Sequence, residues 1–369
     1  MAESVRRRTR AWPRTLREKE WVEAAPPSIR ARGVFAFWDS PMILRHSRQS
    51  LVQRRLGAAH SPPRRKLGGK LARTVALITV FLGLAVVCHS ARRVADQTGR
   101  SVEIPERAER LISLAPSITE TLFALGLGDQ LVGDTDYCEY PPEARLKPHV
   151  GPVLNPSLER IVVLKPDLVL GSREANRIET ADQLERLGIP VYGVTAQTVD
   201  EMLSSIEDLG NVLGREAEAR RLVRELRERI DRVERRVANR PKPKVLFVVW
   251  YRPLTAAGPR SFVADVVRRA GGVSISDDLS GEWPRMSLEE ALRRDPDVIL
   301  FPRAESFAPS PEDLTTLPGW KNFNAVKHHR LYFVSDTIIR PSPRLVDALE
   351  EVASFLHPEL DFSGREKSR

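Results

Sequence analysis

Two cysteines in 369 residues, Cys88 and Cys138, are too few for a disulfide framework. The fold must therefore rest on its apolar core, and a 41% hydrophobic composition over this length can supply one of substantial size. Long apolar runs are missing as well. TVALITVFLGLAVVC, ending at Cys88, holds about 14 apolar residues and is closed by Arg92 and Arg93, short of the ~20 that a spanning helix needs. No G-x-S-x-G, Walker-type loop or G-x-G-x-x-G follows a strand, so the common hydrolase, nucleotidase and dinucleotide-binding readings lack their devices. His328-His329 has no i, i+4 or cysteine partner and reads as an exposed turn rather than a zinc site. His149 stands alone, and no metal site is expected.

Acidic residues are scarce only at the front. Residues 1–100 carry 21 Lys/Arg against 6 Asp/Glu, leaving 37 against 43 in residues 101–369. The net charge of +9 thus belongs to the N-terminal stretch, and the remainder is mildly acidic. A globular region without a basic face is poorly suited to neutralising phosphates, so nucleic-acid binding is not expected. Residues 1–70 mix Arg, Pro and Ser without period, as a disordered basic extension or an upstream start would, with Met42 a later candidate start. Residues 71–90, following the basic run PRRKLGGKLAR, have the layout of a secretory signal. Three outcomes stay open: acylation of Cys88 as in a lipoprotein, cleavage nearby, for instance after Ser90, or an uncleaved anchor. Each puts residues 101–369 outside the inner membrane.

Beyond residue 104 strands and helices alternate, the pattern of a mostly parallel sheet covered on both faces. RLISLAP reads as a strand, followed by a helix ending at Gly126 in which Ser117 and Glu120 form a capping box. QLVGDTDY, DLVLG and IPVYGV are further strands, with helices over 155–164 and 174–187. From Val199 to about Ala238 apolar positions keep a 3.6-residue period, broken at Gly214. A second series follows: strand VLFVVW, a helix over 262–270, a short helix over 287–294, strands DVILF and HRLYFV, and a closing helix over 342–356. The expected organisation is an α/β lobe over 101–198, a helical linker over 199–240, a second α/β lobe over 243–360 and a tail over 361–369.

The two series share a sentence. SLERIVVLKPDLVL at 157–170 returns as SLEEALRRDPDVIL at 287–300. Ser157 and Ser287 are candidate helix caps, and Glu159 and Glu289 are first-turn acids that a helix dipole stabilises by about 0.3–1 kcal/mol, a structural role that would itself account for them. Their pairing at matching corners of two lobes also makes a two-point acidic handle.

These segments, with RLISLAPSITETLFALGLGDQLVG, DYCEYPPEA, LTAAGPRSFVADVVRRAGG and SDTIIRPSPR, resemble the substrate-binding proteins of ABC importers whose lobes are joined by a helical backbone. That group serves cobalamin, ferric siderophores and haem. The resemblance runs from about Asp96 to Leu360 and is nearest to the cobalamin binders. It implies two Rossmann-like lobes with mostly parallel sheets joined by a long backbone helix, no enzymatic activity, and a corrinoid (cobalamin or cobinamide) held between the lobes. Tyr137 and Trp283 would face the corrin ring, Asp336 and Arg340 its polar edge, and Trp250 and Tyr251 are placed to join them. Glu159 and Glu289 would dock on an ABC permease dimer with its cytoplasmic ATPase, and a periplasmic monomer is expected. GPVLNPSLE offers Val153 and Leu154 where the cobalamin binders carry a tryptophan, which keeps haem and ferric siderophores as alternatives. A two-lobed metal chelatase is the enzymatic rival, but the cleft-forming segments contain no cluster of histidines and carboxylates. Cys138, near the cleft, reads as a small packed residue.

Overall fold

Four strands of the first lobe, β3 (Leu111–Ser113), β4 (Leu131–Gly133), β5 (Leu168–Ser172) and β6 (Val191–Val194), form a parallel sheet in the order β4-β3-β5-β6. In the second lobe the strands are β7 (Lys244–Tyr251), β8 (Leu254–Ala256), β9 (Val273–Ser274), β10 (Val298–Pro302) and β11 (Leu331–Val334). Its parallel pairs run β9-β7-β10-β11, the same order as in the first lobe, with β8 added antiparallel to β7. These arrangements belong to a computed structural model that describes residues 91–303 and 317–362. Cys88, Met42, the signal segment and the tail beyond Phe362 are outside the described residues. β1 (Ala91–Ala95) and β2 (Ser101–Pro105) pair with each other ahead of the first lobe.

The central strands are buried end to end, LVLGS and VILFP without one exposed position. Such continuous apolar strands need cover on both faces. In the first lobe, α1 (Pro116–Ala124) and α4 (Val199–Leu213) cover one face, where Leu111, Leu170, Leu122 and Ile206 share a cluster. On the other face, α2 (Leu158–Val163) and α3 (Ile178–Arg186) cover Ile112 and Val169. In the second lobe, α5 (Glu216–Val237), α6 (Phe262–Arg269) and α9 (Leu345–Leu356) cover one face, and α7 (Leu288–Arg294) and the short α8 (Asn324–Lys327) the other.

The repeated sentence folds twice in the same way. Ser157 Oγ accepts the N–H of Arg160 at 3.3 Å and Ser287 Oγ that of Glu290 at 3.0 Å, capping α2 and α7. Both helices stop ahead of a proline, through Lys165 and Asp295 at φ 46° and 49°, because proline pushes the residue before it out of the α region. The next aspartate then ties the strand entrance. Asp167 accepts the N–H groups of Glu109 and Arg110, each at 2.9 Å, and Asp297 that of Lys244 at 2.7 Å.

The crossover is two helices rather than one rod. Gly214, at φ 68°, ends α4, and α5 turns back onto it. Gly210 marks their close approach, since a Cβ there would lie 2.3 Å from Ala219 Cβ. At 22 residues α5 reaches about 33 Å and lies along the second lobe, where Arg229 pairs with Asp347 at 2.7 Å and Glu350 at 2.6 Å on α9. Arg269 on α6 binds Asp265 at 2.9 Å, Glu234 of α5 at 2.7 Å and Asp200 of α4 at 2.5 Å. Asp265 also accepts the N–H of Val199 at 2.9 Å, so a second-lobe carboxylate caps the helix that leaves the first lobe.

Candidate functional site

In open α/β sheets, ligands collect outside the carboxyl ends of the strands, where the strand order reverses. In the first lobe that point lies between β3 and β5. Asn176 shapes it, accepting from Ser172 N at 2.7 Å and donating to the carbonyls of Leu114 and Val153 at 2.9 and 2.8 Å. A cavity opens there, lined by Ser117, Ser172 and Glu174 of the first lobe, Met202 and Ser205 of α4, and Pro341 of the second lobe. Glu174 accepts from Ser172 Oγ at 3.0 Å and from Thr195 Oγ1. Burial raises its pKa, and Glu282 adds to the rise by repulsion. Glu282 itself reaches back across the lobes, accepting from Gln197 Nε2 at 2.7 Å.

The capping box expected at Ser117 and Glu120 is not there. Ala115 occupies the cap position, without a side-chain bond, and Pro116 opens the helix one residue ahead of Ser117. Proline is well suited to a first helical position, since its missing N–H would have no partner there. Glu120 is freed from the backbone and faces the second lobe. Its Oε1 lies 3.2 Å from Arg340 Nη1 and 3.5 Å from Arg344 Nη1, and its Oε2 accepts from Ser342 Oγ at 2.6 Å. Arg340 also pairs with Asp336 at 2.9 Å, one helical turn earlier in the chain.

The first-lobe segment opposite presents aromatics. Tyr137 is 56% exposed and Tyr140 45%, and the Arg344 guanidinium lies 3.8 Å from the Tyr140 ring centroid, a cation–π contact between lobes. Beneath them Cys138 is buried between Thr119 and Thr135, each 3.2 Å from its sulfur, and burial raises its pKa. His149 is isolated in the sequence but not in space. Its Nδ1 lies 2.6 Å from Asp134 Oδ1. Burial pushes the Asp134 pKa up to about 7 against the lowering effect of this histidine.

Trp283 differs from Tyr137. Trp283 is 4% exposed and packs edge-on against Phe262, ring centroids 6.1 Å apart. The 281–286 segment is drawn in by backbone bonds alongside β8, including Ala256 N to Pro284 O at 3.0 Å and Met286 N to Leu254 O at 3.0 Å. The Trp283 indole nitrogen is buried without a hydrogen-bond partner. Trp250 and Tyr251 end β7 at the carboxyl edge of the second sheet. Both are half-buried, the Trp250 indole donating to Arg252 O at 2.6 Å and Tyr251 packing on the outer core of that lobe.

Glu159 and Glu289 are exposed at the starts of α2 and α7 and make no ion pair among the described residues. No group of three or more potential metal ligands occurs among the described residues. Glu120, Tyr140, Ser342 and Arg344 were missed as site residues. PSPR following Arg340 and the second tyrosine of DYCEYPP were the only signals that could have raised them.

The profile of the periplasmic binding protein family matches residues 111–337. This chain belongs to that family. As a periplasmic binding protein it is 31% identical over 275 residues to an uncharacterized ABC transporter substrate-binding lipoprotein, YvrC, of Bacillus subtilis (strain 168), covering 72% of this chain and 85% of that one. Its structure resembles the periplasmic vitamin B12 binding protein BtuF of Vibrio cholerae with a TM-score of 0.60 at 28% identity, over 68% of this chain and 97% of that chain. It also resembles the periplasmic heme-binding protein RhuT from Roseiflexus sp. RS-1 in its apo form, with a TM-score of 0.62 at 28% identity, over 68% and 98% of the two chains.

Proposed function

We propose that this chain is the extracytoplasmic receptor of an ABC importer, catching a corrinoid between its lobes and handing it to a permease dimer whose cytoplasmic ATPase drives import. The observation that carries the reading is the opposition of exposed Tyr137 and Tyr140 to the polar segment Asp336–Arg344 across the lobes. A large flat ligand suits aromatic faces with a few polar groups at its edge. The likeness to vitamin B12-binding relatives supports the corrinoid. Trp283, with its unpartnered indole N–H, and Trp250 and Tyr251 at the neighbouring sheet edge complete the wall of the second lobe. Glu159 and Glu289 are the docking points for the permease, and Cys88 is the acylation site that anchors the protein. The receptor performs no catalysis and acts as a monomer.

Haem is the second reading, favoured by the likeness to RhuT. Titrating the purified protein with cobalamin, cobinamide, haem and a ferric siderophore, followed by tryptophan fluorescence, separates these. Quenching by the corrinoids at micromolar concentration or below is expected, and quenching by haem alone would replace the corrinoid reading. Closure is expected to be small, because Asp265 and Arg269 tie the crossover to the second lobe. A radius of gyration that falls by more than about 1 Å on ligand addition would overturn that expectation.

A further inference from the structure

Two guanidiniums and two carboxylates meet where the lobes face each other, and their charges cancel. Glu120 comes from the first lobe and is 4% exposed; Asp336, Arg340 and Arg344 come from the second. A free pair of arginines on a cleft wall would be a receptor for carboxylate or phosphate, since each guanidinium can bind such a group with two parallel hydrogen bonds. Here a carboxylate of the protein already lies against both. An anionic ligand would have to displace Glu120 and leave it buried without a counter-charge, which is costly. An uncharged amide needs no such exchange, because each guanidinium has five N–H donors and can spend one on a ligand carbonyl while keeping its ion pair. Glu174 lines the neighbouring cavity together with Pro341, and it brings no positive charge there.

We propose that Glu120 is a selectivity-determining residue: from the opposite lobe it neutralises Arg340 and Arg344, so that the cleft takes large ligands with an uncharged, carboxamide-like periphery and rejects polyanionic ones. The proposal rests on the reading of the inter-lobe cleft as the ligand site and deepens it by fixing the charge class of the ligand. The role is one of positioning and charge, exerted through the two arginines.

The test uses two pairs of probes that share a ring and differ in charge: dicyanocobinamide with dicyanocobyrinic acid, whose side chains are carboxylates in place of amides, and haem dimethyl ester with haem. The wild-type protein is expected to bind the uncharged member of a pair more tightly. In Glu120→Gln the ratio of anionic to uncharged affinity should rise about tenfold, equivalent to about 1.4 kcal/mol, and anion binding should become salt-sensitive. In Arg344→Gln, where Glu120 outweighs the remaining charge, the ratio should fall several-fold. That opposite sign decides the matter even if Glu120→Gln fails to fold. Equal loss of both members in either variant would mean a merely structural role and would overturn the proposal, as would a wild type that prefers the anion. Binding of the haem pair alone would remove the corrinoid reading and still test Glu120. Binding of neither pair would remove both.

Discussion

The two lobes run the same strand order and fold the same S-L-E sentence in the same way, yet they bring opposite chemistry to the cleft. The first lobe offers exposed tyrosines and the carboxylates Glu120 and Glu174. The second offers Arg340 and Arg344 beside Asp336, and buries Trp283. The tips diverge too. After Glu159 come exposed Val162 and Val163, whereas the matching stretch after Glu289 holds Glu290 and Arg293, joined to each other at 2.7 Å. A repeated scaffold thus sets where side chains stand, and the loops and helix faces built on it set what they do.

The sharpest way to break this comparison is at the tips. Reversing both acids, Glu159→Lys with Glu289→Lys, is expected to reduce ligand uptake in cells by at least about tenfold while leaving the affinity of the purified protein unchanged. Loss of affinity instead would make them pocket or folding residues. A single reversal should cost less, and unequal single losses would show that the tips are not used alike.

The joint between the lobes comes next. Arg269→Ala cuts the ties from Asp265 to Glu234 and Asp200 while leaving Asp265 its pair with Arg268 and should lower stability by about 1.5–3 kcal/mol, read as a drop in the midpoint of denaturant unfolding. The equally charged Arg221, which pairs on the open surface with Glu225, should tolerate the same change within about 0.5 kcal/mol.

Asp134 supplies a pH signature for the first lobe. Its pKa in the folded protein stands at about 7, above its ordinary 3.8. The protonated form is therefore favoured by folding, and that contribution is complete below about pH 4 and lost as pH rises through 7. Asp134→Asn should flatten the fall in stability across that window, which amounts to roughly 2–4 kcal/mol, in thermal melts taken at pH 4, 5.5 and 7.5. An unchanged slope would dismiss Asp134 as its source.

The smallest expected effect tests the equivalence itself. Ser157→Ala and Ser287→Ala should each cost about 1 kcal/mol, the worth of one helix cap, and nearly the same amount in both lobes. A difference beyond about 1 kcal/mol would mean that one tip is held by something other than its cap.

Much of this was legible along the chain because the signals were local. The serine caps, the proline stops, the buried strand runs and the break at Gly214 all depend on residues within four or five positions of one another, and they stand where the residue pattern put them. Helix 174–187 begins late, at Ile178, because Glu174 and Asn176 spend their side chains on Thr195, Ser172 and the ends of β3 and β5. The short strand β1, ARRVA, carries two adjacent arginines and no apolar run, so nothing in its own residues announced it.

Residue order alone settled the two lobes, their repeated corners and the helical crossover, since hydrophobic period and capping act between near neighbours. It misjudged Glu120, whose local motif matched a capping box, because a partner 220 positions away can be chosen only once the lobes are packed. The same holds for His149 with Asp134 and for the burial of Trp283. A charge or an indole removed from water is governed by whatever surrounds it in space, and that environment exists only in the folded molecule.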